Sequence, residues 1–132
     1  MRGTAVEQYV SAVLPAGEYF VGDPCYAFES QQVWVGLLEA AGYESCPPLL
    51  EAHAGGRSFT AAATAYGDGV YSDGVRSYPV DAGMLGVVPV GSADCVPDGM
   101  HRHTFDFPFT VASAGGVITM GDIRMDTSGD GW

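Results

Sequence analysis

The stretch Ala65–Gly83, AYGDGVYSDGVRSYPVDAG, sets glycine and aspartate between short apolar runs, and the earlier Gly22-Asp23-Pro24-Cys25-Tyr26 does the same. Glycine reaches positive φ without steric cost, proline presets φ, and aspartate bonds its own backbone, so both stretches read as chain reversals. Val70–Ser72 and Val75–Val80 flank Asp73-Gly74, a pair suited to a hairpin turn with positive φ at both positions. Leu49–Ala54 and Ser58–Tyr66 flank Gly55-Gly56 in the same way. Met84–Val90 is a nearly unbroken apolar run that reads as a central strand, with Pro89 placing its end at an edge. Gly17–Val21 is a strand running into Gly22-Asp23-Pro24. His103–Val111 alternates, with Phe105, Phe107, Phe109 and Val111 on one face, and Gly115-Gly116 turns the chain into Val117–Asp126.

Two segments have helical spacing. Ser30 caps a stripe of Val33, Trp34, Leu37, Leu38 and Ala41, and Gly42 follows at the C′ position. Thr4 and Glu7 have capping-box spacing ahead of Val6, Tyr9, Val10, Val13 and Leu14, which Pro15 closes. The pattern predicts a mainly β fold, a compact antiparallel sandwich or small barrel of about seven or eight short strands. One α-helix packs on it over about 31–41, beside a short N-terminal helix. The expected organisation is an N-terminal helix or arm over 1–14, a single β-rich domain over 15–126, and a flexible tail over 127–132.

The chain has 132 residues, enough for one domain with its own core, and 47% of them are hydrophobic. Its formal charge is −11, lysine is absent, and Arg2, Arg57, Arg76, Arg102 and Arg124 are scattered. Such a field repels phosphates, so direct nucleic-acid binding and anionic membranes are disfavoured. No apolar run approaches the roughly 20 residues that span a bilayer. Glu7 and Gln8 interrupt any signal-peptide core, which makes the expected location cytoplasmic. Cys25, Cys46 and Cys95 are odd in number and lack paired spacing, so they read as reduced thiols.

Each chemical candidate has an ordinary structural explanation beside it. Cys25 with His53, His101 or His103 would make a thiol nucleophile, yet no catalytic signature surrounds it and cysteine is a common packing residue. His101 and His103 share a strand face and would need Cys95 or Asp98 to complete a zinc set; without paired ligand spacing, a solvated loop-to-strand junction is the favoured reading. Asp68, Asp73 and Asp81 lack the register of a calcium loop, and Asp23, like them, sits where aspartate bonds turns. Without lysine there is no Walker motif, and no GxSxG or HExxH occurs, so no cofactor and no metal are expected. Tyr26, Tyr66, Tyr71 and Tyr78 lie near these turns, where tyrosine serves either the core or a partner. The candidate binding residues are Asp23, Tyr26, Tyr66, Asp68, Tyr71, Asp73, Tyr78 and Asp81.

LPAGEYFVGDPCY (Leu14–Tyr26), TAYGDGVYSD (Thr64–Asp73), YPVDAG (Tyr78–Gly83) and GDIRMDT (Gly121–Thr127) together resemble a group of small bacterial and bacteriophage proteins. The likeness spans most of the chain from Leu14. It carries over no catalytic residues, and it implies a phage or prophage origin and an accessory role. Three function classes follow. The first is a non-enzymatic binding protein that acts on a host defence protein or sequesters a small ligand in the host cytoplasm. The second is a virion decoration or tail-associated protein that sits on a lattice through the N-terminal helix or the acidic face; the helix is also a candidate surface for homo-oligomerisation. The third is a hydrolase built on Cys25 or on Asp23 and Asp81.

Overall fold

Val10, Ala12 and Leu14 alternate with Tyr9, Ser11 and Val13, and this period of two decides the first element. The computed structural model describes residues 9–45 and 47–128, and in it Tyr9–Leu14 forms a strand, β1, whose alternate residues are exposed. It pairs antiparallel with Phe109–Ala114, from Tyr9↔Ala114 to Leu14↔Phe109. The expected N-terminal helix is corrected over these residues; Thr4, Val6 and Glu7 lie outside the described residues. A helix that short is marginal alone. A paired strand of Val and Tyr satisfies the same apolar positions and gains a hydrogen-bonded ladder. Over Tyr9–Leu14, the surface expected to self-associate as a helix is a strand.

The remaining elements are β2 (Gly17–Gly22), a 3-10 turn (Pro24–Ala27), α1 (Gln31–Ala40), β3 (Leu49–Ala54), β4 (Arg57–Ala63), β5 (Gly69–Ser72) and β6 (Ser77–Val80). They continue with β7 (Met84–Pro89), β8 (His101–Phe105), β9 (Phe109–Ala114), β10 (Val117–Met120) and β11 (Ile123–Asp126). Four strands form one sheet in the order β1-β9-β10-β11, five form a second in the order β3-β4-β7-β2-β8, and β5-β6 is a separate ribbon. All pairings are antiparallel and neither sheet closes on itself. The architecture is sandwich-like, with one α-helix among the described residues. Eleven strands among the described residues exceed the expected number because two predicted runs divide and the segment expected to be an N-terminal helix supplies β1.

The run His103–Val111 is one of them. Phe105 ends β8 in the five-stranded sheet and Phe109 begins β9 in the four-stranded sheet. Their rings stack at 3.7 Å between centroids, and Tyr19 meets both edge-on. The chain between them is a corner, where Pro108 has no N–H to give a ladder. Phe107 is thrown outward and is 77% exposed, against its expected place on the inner face. Val117–Asp126 divides likewise, at Gly121-Asp122, into a hairpin pairing Met120 with Ile123.

Two interiors result. Tyr19, Val21, Leu85 and Val87 of the central strands face Val111, Ile118, Met120 and Met125 of the four-stranded sheet, with Tyr71, Tyr78 and Val80 of the ribbon closing one side. On the other face, Phe20, Phe59, Ala61 and Val88 meet Phe28 and Leu37, with Trp34 stacked over Phe28 and Phe59. Residues of both parities along β2 and β7 are therefore buried, which is why Met84–Val88 reads as a continuous apolar run. Helix α1 follows its expected boundaries, with the Ser30 hydroxyl accepting from Val33 N at 3.4 Å. Gly55 and Gly56 at φ 59° and 78° close β3 onto β4 in two residues, as expected.

Thr127 does not belong to a flexible tail. It is fully buried; its hydroxyl donates to Gly116 O at 2.6 Å and accepts from Ala65 N at 2.9 Å. Residues 129–132 of that expected tail lie outside the described residues, as does Cys46. No helix among the described residues is long and apolar enough to cross a membrane.

Candidate functional site

Asp23 precedes a proline whose missing N–H and fixed φ suit the start of a helical turn. Its Oδ1 accepts from Cys25 N at 3.0 Å and so caps the 3-10 turn. Its Oδ2 reaches across the fold to accept from Asp81 N at 2.9 Å and Ala82 N at 2.6 Å. The side chain is fully buried. Burial pushes its carboxyl above the usual range, against the opposing pull of the hydrogen bonds from Ala82, Cys25 and Asp81. Asp23 thus fastens the GDPCY turn to the YPVDAG segment and offers nothing to a ligand.

Around this fastening the phenol of Tyr26 donates to Asp81 Oδ2 at 2.5 Å. Burial, followed by that bond and the Asp81 charge, pushes the phenol well above its ordinary pKa, so it stays a donor. The Tyr26 ring lies where a side chain at Gly99 would overlap it. Thr64, itself buried, binds the third motif: its hydroxyl lies 2.7 Å from Gly67 O and 3.2 Å from Gly83 O, and its N–H donates to Gly83 O at 2.9 Å. The Asp68 carboxylate comes to rest beside Gly83, 3.8 Å from the place of a Cβ there. The result is one rim carrying Tyr26, Asp68 and Asp81, with both carboxylates exposed; Tyr66, 57% exposed, lies in the adjoining Thr64–Gly67 turn.

The other candidates separate from this rim. Tyr71 and Tyr78 are core residues at 0% and 1% exposure, the core alternative of the two given for them, and they leave the candidate binding set. Rings in the sheet interior bury large apolar area while the hydroxyl finds a polar partner: Tyr71 donates to Gly67 O at 2.6 Å and Tyr78 to Asp73 Oδ2 at 2.8 Å. Asp73 organises the tip of the ribbon, where Ser72↔Ser77 is the last pair and four residues form the loop. Its Oδ1 accepts from Val75 N at 2.8 Å and Arg76 N at 2.7 Å. The two-residue turn expected at Asp73-Gly74 is thus replaced by a carboxylate-held loop.

Burial opposes ionisation of Asp73, and the hydrogen bonds from Arg76, Val75 and Tyr78 outweigh it, leaving its pKa below the ordinary value. A carboxylate with a folded pKa below its unfolded value of about 3.9 stabilises the fold above that pH, and the contribution is lost as pH falls through the folded value. Asp73→Ala is therefore expected to melt a few degrees below the wild type at pH 6. The two melting temperatures should converge as the pH is lowered below about 4. A gap that persists undiminished at pH 2 would show that the carboxylate charge is not what holds the tip.

Cys25 adjoins the rim, half-buried. Burial and then the carboxylates of Asp23, Asp81 and Asp68 push its thiol far above the ordinary range, the reverse of what a nucleophile needs. Cys95 lies against backbone, 3.5 Å from Tyr26 O. His101 lies 3.0 Å from Ser77 O through Nε2 and meets the Tyr78 ring edge-on, and His103 meets Phe105. Among the described residues no group of three or more His, Cys, Asp or Glu is placed to hold a metal ion.

No family model matches the chain, and neither a curated protein nor a solved structure matches it. What the rim can do rests on its own geometry. Sequence reasoning gave no role to Thr64, although it opens the TAYGDGVYSD stretch, or to Gly99; both position the rim, and only their neighbours reveal it.

Proposed function

We propose that the chain is a non-catalytic binding protein whose recognition surface is the rim of Tyr26, Asp68 and Asp81 with the adjoining Tyr66. One observation carries the reading: the fully buried Asp23 carboxylate ties the GDPCY turn to Asp81 and Ala82, which brings Tyr26 and Asp81 to one edge, and Thr64 fastens the segment of Tyr66 and Asp68 to that edge through Gly83. Pre-organised tyrosine and carboxylate groups lose little entropy on binding, which is what a recognition surface requires. Burial and the neighbouring carboxylates raise the pKa of the thiol beside the rim, which favours binding over thiol catalysis. In the phage setting that its motifs imply, the partner is a host defence protein or a small ligand in the host cytoplasm.

The test uses the full chain, immobilised over host lysate and titrated calorimetrically with nucleotides. A partner should be retained by the wild type and lost at least about tenfold by Tyr66→Ala combined with Asp81→Asn, both at exposed positions. Retention indifferent to that pair, or no response to any lysate or nucleotide, removes the reading. Iodoacetamide mapping at pH 8 supplies a second arm, in which Cys25 should react more than about tenfold more slowly than free cysteine. Rapid alkylation that also abolishes the biological effect would return the thiol enzyme to first place.

A further inference from the structure

Beside the rim the surface opens into an apolar pocket of about 460 Å³, within the range that takes small ligands. The buried Leu50 and Met84 line it together with Ala63, Ala82 and Gly83, and Tyr43 and Pro47 complete the wall. The space exists because three of the lining residues, Ala63, Ala82 and Gly83, carry a methyl group or nothing. Gly83, at φ 71°, is held by Thr64 through its carbonyl, so the opening is built into the backbone. Tyr43 is 47% exposed, as a wall that faces an empty volume should be.

The charge around this pocket has one sign. Glu44 lines it, the Asp68 carboxylate stands beside Gly83, and no arginine or histidine lies among its described lining residues. Of the described arginines, Arg57 is paired with Asp94 and Arg102 with Glu18. The whole chain carries −11, so its field draws cations in and turns anions away. An aromatic ring next to a carboxylate at the mouth of an apolar volume suits an ammonium group, which is attracted by the ring face as well as by the opposite charge.

We propose that this pocket binds a small organic cation, with an aromatic or aliphatic body seated on Leu50 and Met84 and an ammonium group against Tyr43 and Glu44. The inference rests on the binding reading above and specifies its small-ligand branch. It excludes phosphorylated and carboxylate ligands from this pocket, because either would bring an anion to Glu44 and Asp68.

Three probes of similar shape test it on the intact chain by NMR titration: phenethylamine, the uncharged 2-phenylethanol, and the anionic 3-phenylpropanoate. Phenethylamine should shift resonances of Tyr43, Leu50, Ala63 and Met84 with a dissociation constant on the order of 1 mM, ordinary for so small a probe. The alcohol should bind several-fold more weakly and the carboxylate at least about tenfold more weakly. Glu44→Gln should bring the amine down to the level of the alcohol and leave the alcohol unchanged. Ala63→Leu, at an exposed position at the end of β4, should fill the pocket and abolish binding with little change in melting temperature. Equal binding of all three probes, binding indifferent to Ala63→Leu, or no shift with any probe overturns the proposal. Partner capture that depends on Tyr66 and Asp81 while the pocket stays silent would sink this inference alone. Amine binding without rim-dependent capture would leave the pocket standing and remove the rim.

Discussion

Asp23→Ala is expected to cost about 3–5 kcal/mol of folding stability, since each buried donor left without a partner costs roughly 1–3 kcal/mol. Three such donors, the N–H groups of Cys25, Asp81 and Ala82, lose their acceptor at once. The sum is held below full additivity because the three share one side chain. A domain of this size has a total stability of about 5–15 kcal/mol, so the variant should stand near the edge of unfolding. Asp23→Asn keeps one carbonyl acceptor and should fall between the two. The midpoint of urea unfolding, read with an unchanged m-value, is the measurement. A loss below about 1 kcal/mol for Asp23→Ala would mean that water or neighbouring groups satisfy those amides. The picture of one carboxylate holding two motifs together would then fail.

Gly86→Ala should destabilise by about 3 kcal/mol or more, at or beyond the upper end for overpacked cores. Gly86 lies in the middle of β7, the central strand, opposite Ala61 of β4 on one side and Gly22 of β2 on the other. A Cβ there would overlap the carbonyl oxygen of Thr60 and the Cα and Cβ of Ala61. These belong mainly to the backbone of a paired strand and cannot turn aside as a flexible side chain does. Gly91→Ala is the matched control: a Cβ there meets nothing within 4 Å, and its effect should stay within about 0.5 kcal/mol. Equal effects at the two glycines would show that backbone entropy and not close approach sets the cost.

These two residues differ in how they could be read beforehand. Asp23 stands next to a proline in a turn signal, so its local role as a cap was legible; its reach to Asp81 and Ala82 was not, because nothing near either end records the other. Gly86 sits inside an apolar run where glycine carries no turn signal, and its reason lies wholly in the strands beside it. The tyrosines divide the same way. Tyr26 and Tyr66 remain at the surface, and Tyr71 and Tyr78 turn inward to close the larger interior, although all four occupy similar local sequence. Position along a ribbon does not say which face another sheet will cover.

The order of residues alone determined what is local: the capped helix over Gln31–Ala40, the diglycine hairpins, the apolar central strand, the acidic surface and the mainly β character. Each follows from φ preference, capping or periodicity within a few neighbouring residues. Tertiary contact decided the rest. It made Tyr9–Leu14 a strand by supplying β9 as a partner, bent the phenylalanine run at a corner between two sheets, and drew Thr127 into the interior. It also gathered Asp23, Tyr26, Asp68 and Asp81 at one edge beside an apolar pocket. Those outcomes depend on which surfaces meet after the chain has turned, and free energy of burial and hydrogen bonding across long sequence separations selects among arrangements that local preference leaves equivalent.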